Sequence, residues 1–73
     1  MWVIPMIERE RGWGQKCDGY AGPFETKDEA LKYSEKYNKK YNNATEVPDY
    51  YVAPAGPVYS DDKKFKCDYG NKI

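Results

Sequence analysis

Histidine is absent from this 73-residue sequence, and cysteine, methionine and tryptophan each occur only twice. Without histidine, the usual general base for a serine or cysteine nucleophile is missing. Two distant cysteines do not complete a tetrahedral metal site, and no phosphate-binding loop or dinucleotide fingerprint is present. The sequence therefore predicts a protein that is not an enzyme and that carries no metal ion or cofactor.

Net charge is absent as well, because 12 basic residues offset 12 acidic ones. A nucleic-acid-binding protein normally carries a basic excess, so nucleic acid is a possible but disfavoured partner. The apolar run from Trp2 to Ile7 is too short for a signal peptide or a membrane span. We therefore expect no membrane association and a complete small protein of the cytoplasm.

The two cysteines lie in similar segments, KCDGY around Cys17 and KCDYG around Cys67. A disulfide between them would close a long loop and contribute about 4 kcal/mol in the chain-entropy model. A cytosolic location opposes such a bond and favours two unpaired thiols. The free thiols are the preferred interpretation, and the disulfide remains the alternative.

Two strand signals precede the middle of the chain. The segment WVIPMI is rich in β-formers, and Pro5 within it indicates an edge strand or a bulge. The alternating charges of ERERG then indicate an exposed turn or strand end. WGQKC reads as a second short strand, and Asp18-Gly19 after it is the strongest two-residue hairpin signal in the chain.

One helix is predicted after these strands. Thr26 and Glu29 have the spacing of a capping box, with Phe24 placed to pack over the first turn, and Asn42-Asn43 is a suitable stop. Acid-to-lysine pairs four residues apart, Asp28–Lys32 and Glu35–Lys39, add support. The apolar stripe comprises Ala30, Tyr33, Tyr37, Tyr41 and Ala44, with Leu31 beside it.

The remaining segments complete an α+β fold. EVPDYYVAPAGPVYS is a further extended element, in which one of Tyr50 and Tyr51 faces the core. We expect an antiparallel sheet of three to four strands on one amphipathic helix, in ββαβ order. Residues 1–60 form a single domain, and residues 61–73 form a polar tail or a short edge strand.

The candidate binding residues surround Trp13, which lies between two glycines and close to Arg9 and Arg11. Tryptophan and arginine dominate the energetic centres of protein interfaces. The structural alternative is that Trp13 caps the small core and the arginines pair with Glu8 and Glu10. One residue of Tyr50 and Tyr51 completes the predicted partner-binding set. KKFKCDY is a weaker local match to a surface that stacks single-stranded nucleic acid.

The segments RGWGQKCDGYAGPFETKDEALKY and VPDYYVAP resemble small accessory proteins of tailed bacteriophages. GPFETKDEA is also similar to the strand-to-helix joint of SPOR domains, which bind peptidoglycan glycans. The phage resemblance implies a protein that binds and blocks a host protein in the bacterial cytoplasm. A thin core with spare aromatic residues allows a monomer or a homodimer. The alternatives are a binder of single-stranded nucleic acid or nucleotides through tyrosine stacking, and a minor virion or assembly protein.

Overall fold

The computed structural model describes residues 1–62 and 65–73 and contains one helix and a four-stranded antiparallel sheet. The elements in chain order are β1 (Trp2–Glu10), β2 (Gly14–Phe24), α1 (Lys27–Tyr41), β3 (Tyr50–Pro54) and β4 (Val58–Tyr59). This confirms the predicted α+β class and the ββαβ order, with β4 as a two-residue addition. The sheet order is β2-β1-β3, and β4 also pairs with β1.

Strand β1 is the central strand of the sheet, so the prediction of an edge strand was wrong and the alternative of a bulge was right. Its pairing with β2 shifts register between Trp2 and Ile4 and again between Met6 and Ile7. Proline has no backbone N–H, and the nitrogen of Pro5 faces the same side as its carbonyl. That side is the gap between the end of β3 and the start of β4, so no ladder bond of either strand is lost. The Pro5 carbonyl accepts from the Ala55 N–H there (2.8 Å).

The hairpin turn lies at residues 11–13, and the prediction of a turn at Asp18-Gly19 was wrong. Gly12 and Gly14 adopt φ values of 85° and 88°, a conformation that glycine enters without steric cost. Gly19 instead lies within β2, where an added Cβ would be 3.3 Å from the Tyr69 ring. The absence of a side chain at Gly19 allows the Tyr69 ring to approach β2 closely.

The helix follows its local signals closely. Thr26 is the N-cap and its hydroxyl accepts from the Glu29 N–H at 3.2 Å, which satisfies one free donor of the first turn. The Glu29 carboxylate accepts from the Glu25 N–H, one residue before the cap. Asn42 is the C-cap, as predicted. Neither predicted acid–lysine pair is among the ion pairs of the described chain.

The core lies between α1 and one face of the sheet. It is built from Ile4, Met6, Ala21, Phe24, Ala30 and Tyr33, with Trp2, Tyr37, Val52 and Tyr69 packed around it. Of the predicted helical stripe, Ala30 and Tyr33 are buried and Tyr37 is half-buried. Leu31 was wrongly placed beside this stripe, because it faces away from the sheet and is 46% exposed.

Residues 65–73 dock on the outer edge of β2. The Tyr69 N–H donates to the Tyr20 carbonyl, and the Gly22 N–H donates to the Gly70 carbonyl at 2.8 Å. Phe65 packs edge-on against Tyr20 with ring centroids 4.6 Å apart. The segment forms one isolated parallel bridge and no strand in the described residues, and it covers part of an otherwise open edge.

Tyr69 anchors this segment, since its hydroxyl donates to Asp18 Oδ2 at 2.6 Å. Burial, and then the bond to Asp18, raises the pKa of Tyr69 above its ordinary value near 10. The pKa of Tyr69 is thus higher in the folded than in the unfolded chain. Its protonated hydroxyl therefore stabilises the fold fully at pH values below the unfolded pKa, and this contribution is lost as the pH rises through the folded pKa. We expect Tyr69→Phe to lower the free energy of unfolding by about 1 kcal/mol at neutral pH.

This deficit of Tyr69→Phe relative to the wild type should shrink as the pH rises above about 10. Urea unfolding at several pH values measures it. Tyr41→Phe, at a tyrosine that is 57% exposed, is the matched control and should leave the stability nearly unchanged at every pH. A Tyr69→Phe deficit that stays constant into the alkaline range would contradict the role of the hydroxyl proton.

Candidate functional site

The sequence ERER divides its charges between the two faces of the hairpin end. Successive strand residues point to opposite faces, so Glu8 and Glu10 lie on the helix side and Arg9 lies on the other. Glu8 pairs with Lys16 across the strands at 3.8 Å, and Arg11 pairs with Asp49. The suggested pairing of the arginines with Glu8 and Glu10 is therefore not formed.

Trp13 lies at the tip of the hairpin and is 83% exposed. The alternative in which it caps the core is wrong, because the two positive-φ glycines beside it carry it past the end of the sheet. Its indole lines a shallow cleft of about 250 Å³ with Glu8, Glu10 and Lys16. An indole presented to solvent on a tight turn is available for contact with another molecule.

Arg9, Arg11 and Tyr51 come together on the other side of the hairpin. They line a cleft of about 220 Å³ in which Val47 and Pro48 form the apolar wall. Arg11 Nη1 is 3.5 Å from Asp49 Oδ1, with both side chains more than 80% exposed, so this ion pair contributes little to stability. The guanidinium groups therefore remain available to a partner.

Val47 belongs to this surface and sequence reasoning missed it. It is 78% exposed, in the loop between α1 and β3. A second cleft of about 150 Å³, lined by Tyr41, Val47 and Tyr51, joins the arginine cleft through the residues that the two share. Only the chain path after the helix brings Val47 beside Arg9, so no local sequence signal marks it.

Tyr50 and Tyr51 lie on opposite faces, as the strand period predicts. Tyr51 pairs with Arg9 in the sheet, whereas Tyr50 pairs with Glu10 on the helix side. Tyr50 is 52% exposed, so it is not a core residue. Partial desolvation, and then the charge of Glu8, raises its pKa above the ordinary value. We call the set Arg9, Arg11, Trp13, Val47 and Tyr51 the tip surface, which leaves Tyr50 outside it.

The outer edge of β3 is partly blocked to an added strand. The Ala55 N–H donates to Pro5, so the backbone groups of Ala55 face β1. Successive residues of a strand alternate in this direction, and the N–H and C=O of Val52 and the C=O of Pro54 therefore face away from β1. The Asn42 side chain already donates to the Val52 carbonyl at 3.0 Å. Pro54 has no N–H to offer. A partner at this end of the molecule is therefore met by side chains of the tip surface.

Both cysteines are free. Cys17 is exposed near the start of β2, and the Cys67 sulfur lies beside Gly22, five residues further along that strand. The extended strand between these positions keeps the thiols too far apart for a disulfide, which needs Cα atoms within about 7 Å. The preferred interpretation of unpaired thiols agrees with this geometry. Burial raises the pKa of the Cys67 thiol.

Comparison of the chain with protein-family models, curated proteins and solved structures finds no match. Among residues 1–62 and 65–73, no helix is long and apolar enough to span a membrane. The same residues contain no group of three or more acidic or cysteine side chains placed to hold a metal ion. The first two residues of the KKFKCDY segment lie outside the described chain.

Proposed function

We propose that this chain is a non-enzymatic binding protein that attaches to another protein through its tip surface. In the setting that its resemblance to phage accessory proteins suggests, it acts in the bacterial cytoplasm and blocks a host protein. The exposure of Trp13 is the observation that carries this proposal. Trp13 is a large aromatic residue that is exposed to solvent between two glycines, so it contributes little to the packing of the fold.

The side chains on the two sides of the hairpin tip support a protein as the partner. Protein interfaces combine a central aromatic or arginine anchor with an apolar surround and a polar rim. Trp13 supplies the anchor on one side of the hairpin tip. On the other side, across Glu10, Val47 and Tyr51 supply apolar surface, and Arg9 and Arg11 supply donors for acceptors on the partner. The partly blocked edge of β3 favours contact by side chains over strand addition.

The test is capture of partners from a bacterial lysate by the tagged chain, followed by measurement of the affinity for the captured protein. Trp13→Ala should weaken this affinity by about 30-fold, the effect typical of an interface anchor. Leu31→Ala is the matched control, since it removes another exposed apolar side chain, 46% exposed, on the outer face of α1. Thermal unfolding should show both variants folded.

Undiminished binding by Trp13→Ala would contradict the tip surface as the site. Blocking is tested separately, because the purified chain should inhibit the activity of the captured protein in proportion to its occupancy. Salt-sensitive binding of single-stranded DNA without any protein partner would favour the nucleic-acid alternative. Many copies of the chain in purified phage particles would favour the virion alternative.

A further inference from the structure

A groove of about 420 Å³ lies between α1 and residues 71–73, away from the tip surface. Phe24 and Tyr33 form its base, with their side chains only 4% and 6% exposed. Lys32 and Lys36 line it from successive turns of the helix, and Lys72 lines it from the docked C-terminal segment. The fold thus collects three lysines from two separate parts of the chain around one concave surface.

The side-chain charge of this groove is unbalanced, although the whole chain is neutral. Two negative groups oppose the three lysines: the Glu29 carboxylate, which already accepts from the Glu25 N–H, and the α-carboxylate of Ile73 in the 73-residue chain, which leaves one net positive charge. None of the three lysines belongs to an ion pair in residues 1–62 and 65–73. Like charges four residues apart on a helix repel each other, so an anion between them would relieve that cost.

The C-terminal wall of the groove is held in place by the fold. The Asn71 side chain donates to the Pro23 carbonyl at 3.1 Å, and Gly70 accepts from the Gly22 N–H. Lys72 follows directly after these two anchors. The three lysines are therefore brought to one groove by the anchored backbone of the segment as well as by α1.

We propose that this groove binds a small phosphate-bearing ligand, with Lys32, Lys36 and Lys72 around the phosphate group. Lysine is a common phosphate ligand, which acts through its point charge. Volumes of about 300–1,000 Å³ are typical of small-molecule sites, so the groove has room for a nucleoside monophosphate. Phe24 and Tyr33 are too buried to stack on a base. Ile73, 44% exposed, offers an apolar wall to the organic part.

The test is titration of the isotope-labelled chain with adenosine monophosphate and, separately, with inorganic phosphate, followed by NMR at low salt. The amide signals of residues 71–73 and of the first turns of α1 should shift. Lys32→Gln/Lys36→Gln should weaken binding by about tenfold. Lys39→Gln/Lys40→Gln is the matched control: it removes two charges from the same helix outside the groove, and should change binding by less than about twofold.

The two probes separate the sources of the phosphate. Equal affinities for adenosine monophosphate and inorganic phosphate would show that the phosphate group alone is recognised. Tighter binding of the nucleotide would show that its organic part also contacts the groove. Equal weakening in the two double variants would overturn the site, because it would reflect general attraction to a charged helix. The proposed site would also be overturned if the amide signals of the groove residues did not shift at about 10 mM of either probe.

Discussion

Ile4→Ala should lower the free energy of unfolding by about 3 kcal/mol, the middle of the range for deletion of a buried aliphatic side chain. Ile4 lies in the central strand β1 and is fully buried in the core, in one cluster with Phe24 and Ala30. A 73-residue domain has a thin core, and total stabilities of natural domains are only about 5–15 kcal/mol. The variant should therefore be substantially unfolded under mild denaturing conditions.

Urea unfolding monitored by circular dichroism measures this loss. Leu31→Ala removes an aliphatic side chain of the same size from the outer face of α1, and should change the stability by less than about 0.5 kcal/mol. Equal losses in the two variants would show that Ile4 is not central to the packing. The contrast between them tests the predicted position of the helix on the sheet.

Gly22→Ala should be nearly as destabilising, by about 3 kcal/mol, for a different reason. Gly22 has a φ of 144°, which side-chain-bearing residues rarely adopt. An added Cβ would lie 3.1 Å from the Trp2 carbonyl oxygen and 3.4 Å from the Cys67 sulfur. The backbone oxygen does not move aside easily, so β2 would separate from β1 or from the docked C-terminal segment.

Gly56→Ala is the control for this experiment, because nothing lies within 4 Å of the position of its added Cβ. Its stability should match that of the wild type within about 0.5 kcal/mol, with a small gain from a less flexible unfolded chain. Thermal unfolding of both variants decides the question. A Gly22→Ala variant as stable as Gly56→Ala would contradict the close approach of Cys67 and Trp2 at this position.

The candidate site was predictable in part. Arg9, Arg11, Trp13 and Tyr51 were identified from residue type and clustering, and they do lie at one end of the molecule. Their distribution over two faces follows from the two-residue period of a strand. The part that Val47 plays was not predictable, because it depends on where the loop after α1 places a residue far along the chain.

The lysine groove was beyond sequence reasoning for the same reason. Lys32 and Lys36 are visible as neighbours on a helix, but Lys72 joins them only because the C-terminal segment docks beside β2. That docking depends on contacts between residues about 50 positions apart, such as Tyr69 with Asp18. From its polar composition the same segment was predicted to be a tail or a short edge strand.

By itself the sequence determined the helix and the fold class. The Thr26 cap, the Asn42 stop and the buried start of the stripe at Ala30 and Tyr33 are local features, and local hydrogen bonds and the helical period decide them. The end of the predicted stripe was wrong, because Tyr41 and Ala44 are exposed. Tertiary structure alone decided the central position of β1 despite Pro5, the continuation of β2 through Asp18-Gly19, and which of the two interpretations of Trp13 holds. These depend on which strands pair, and that choice is set by packing between distant segments rather than by the preference of any one of them.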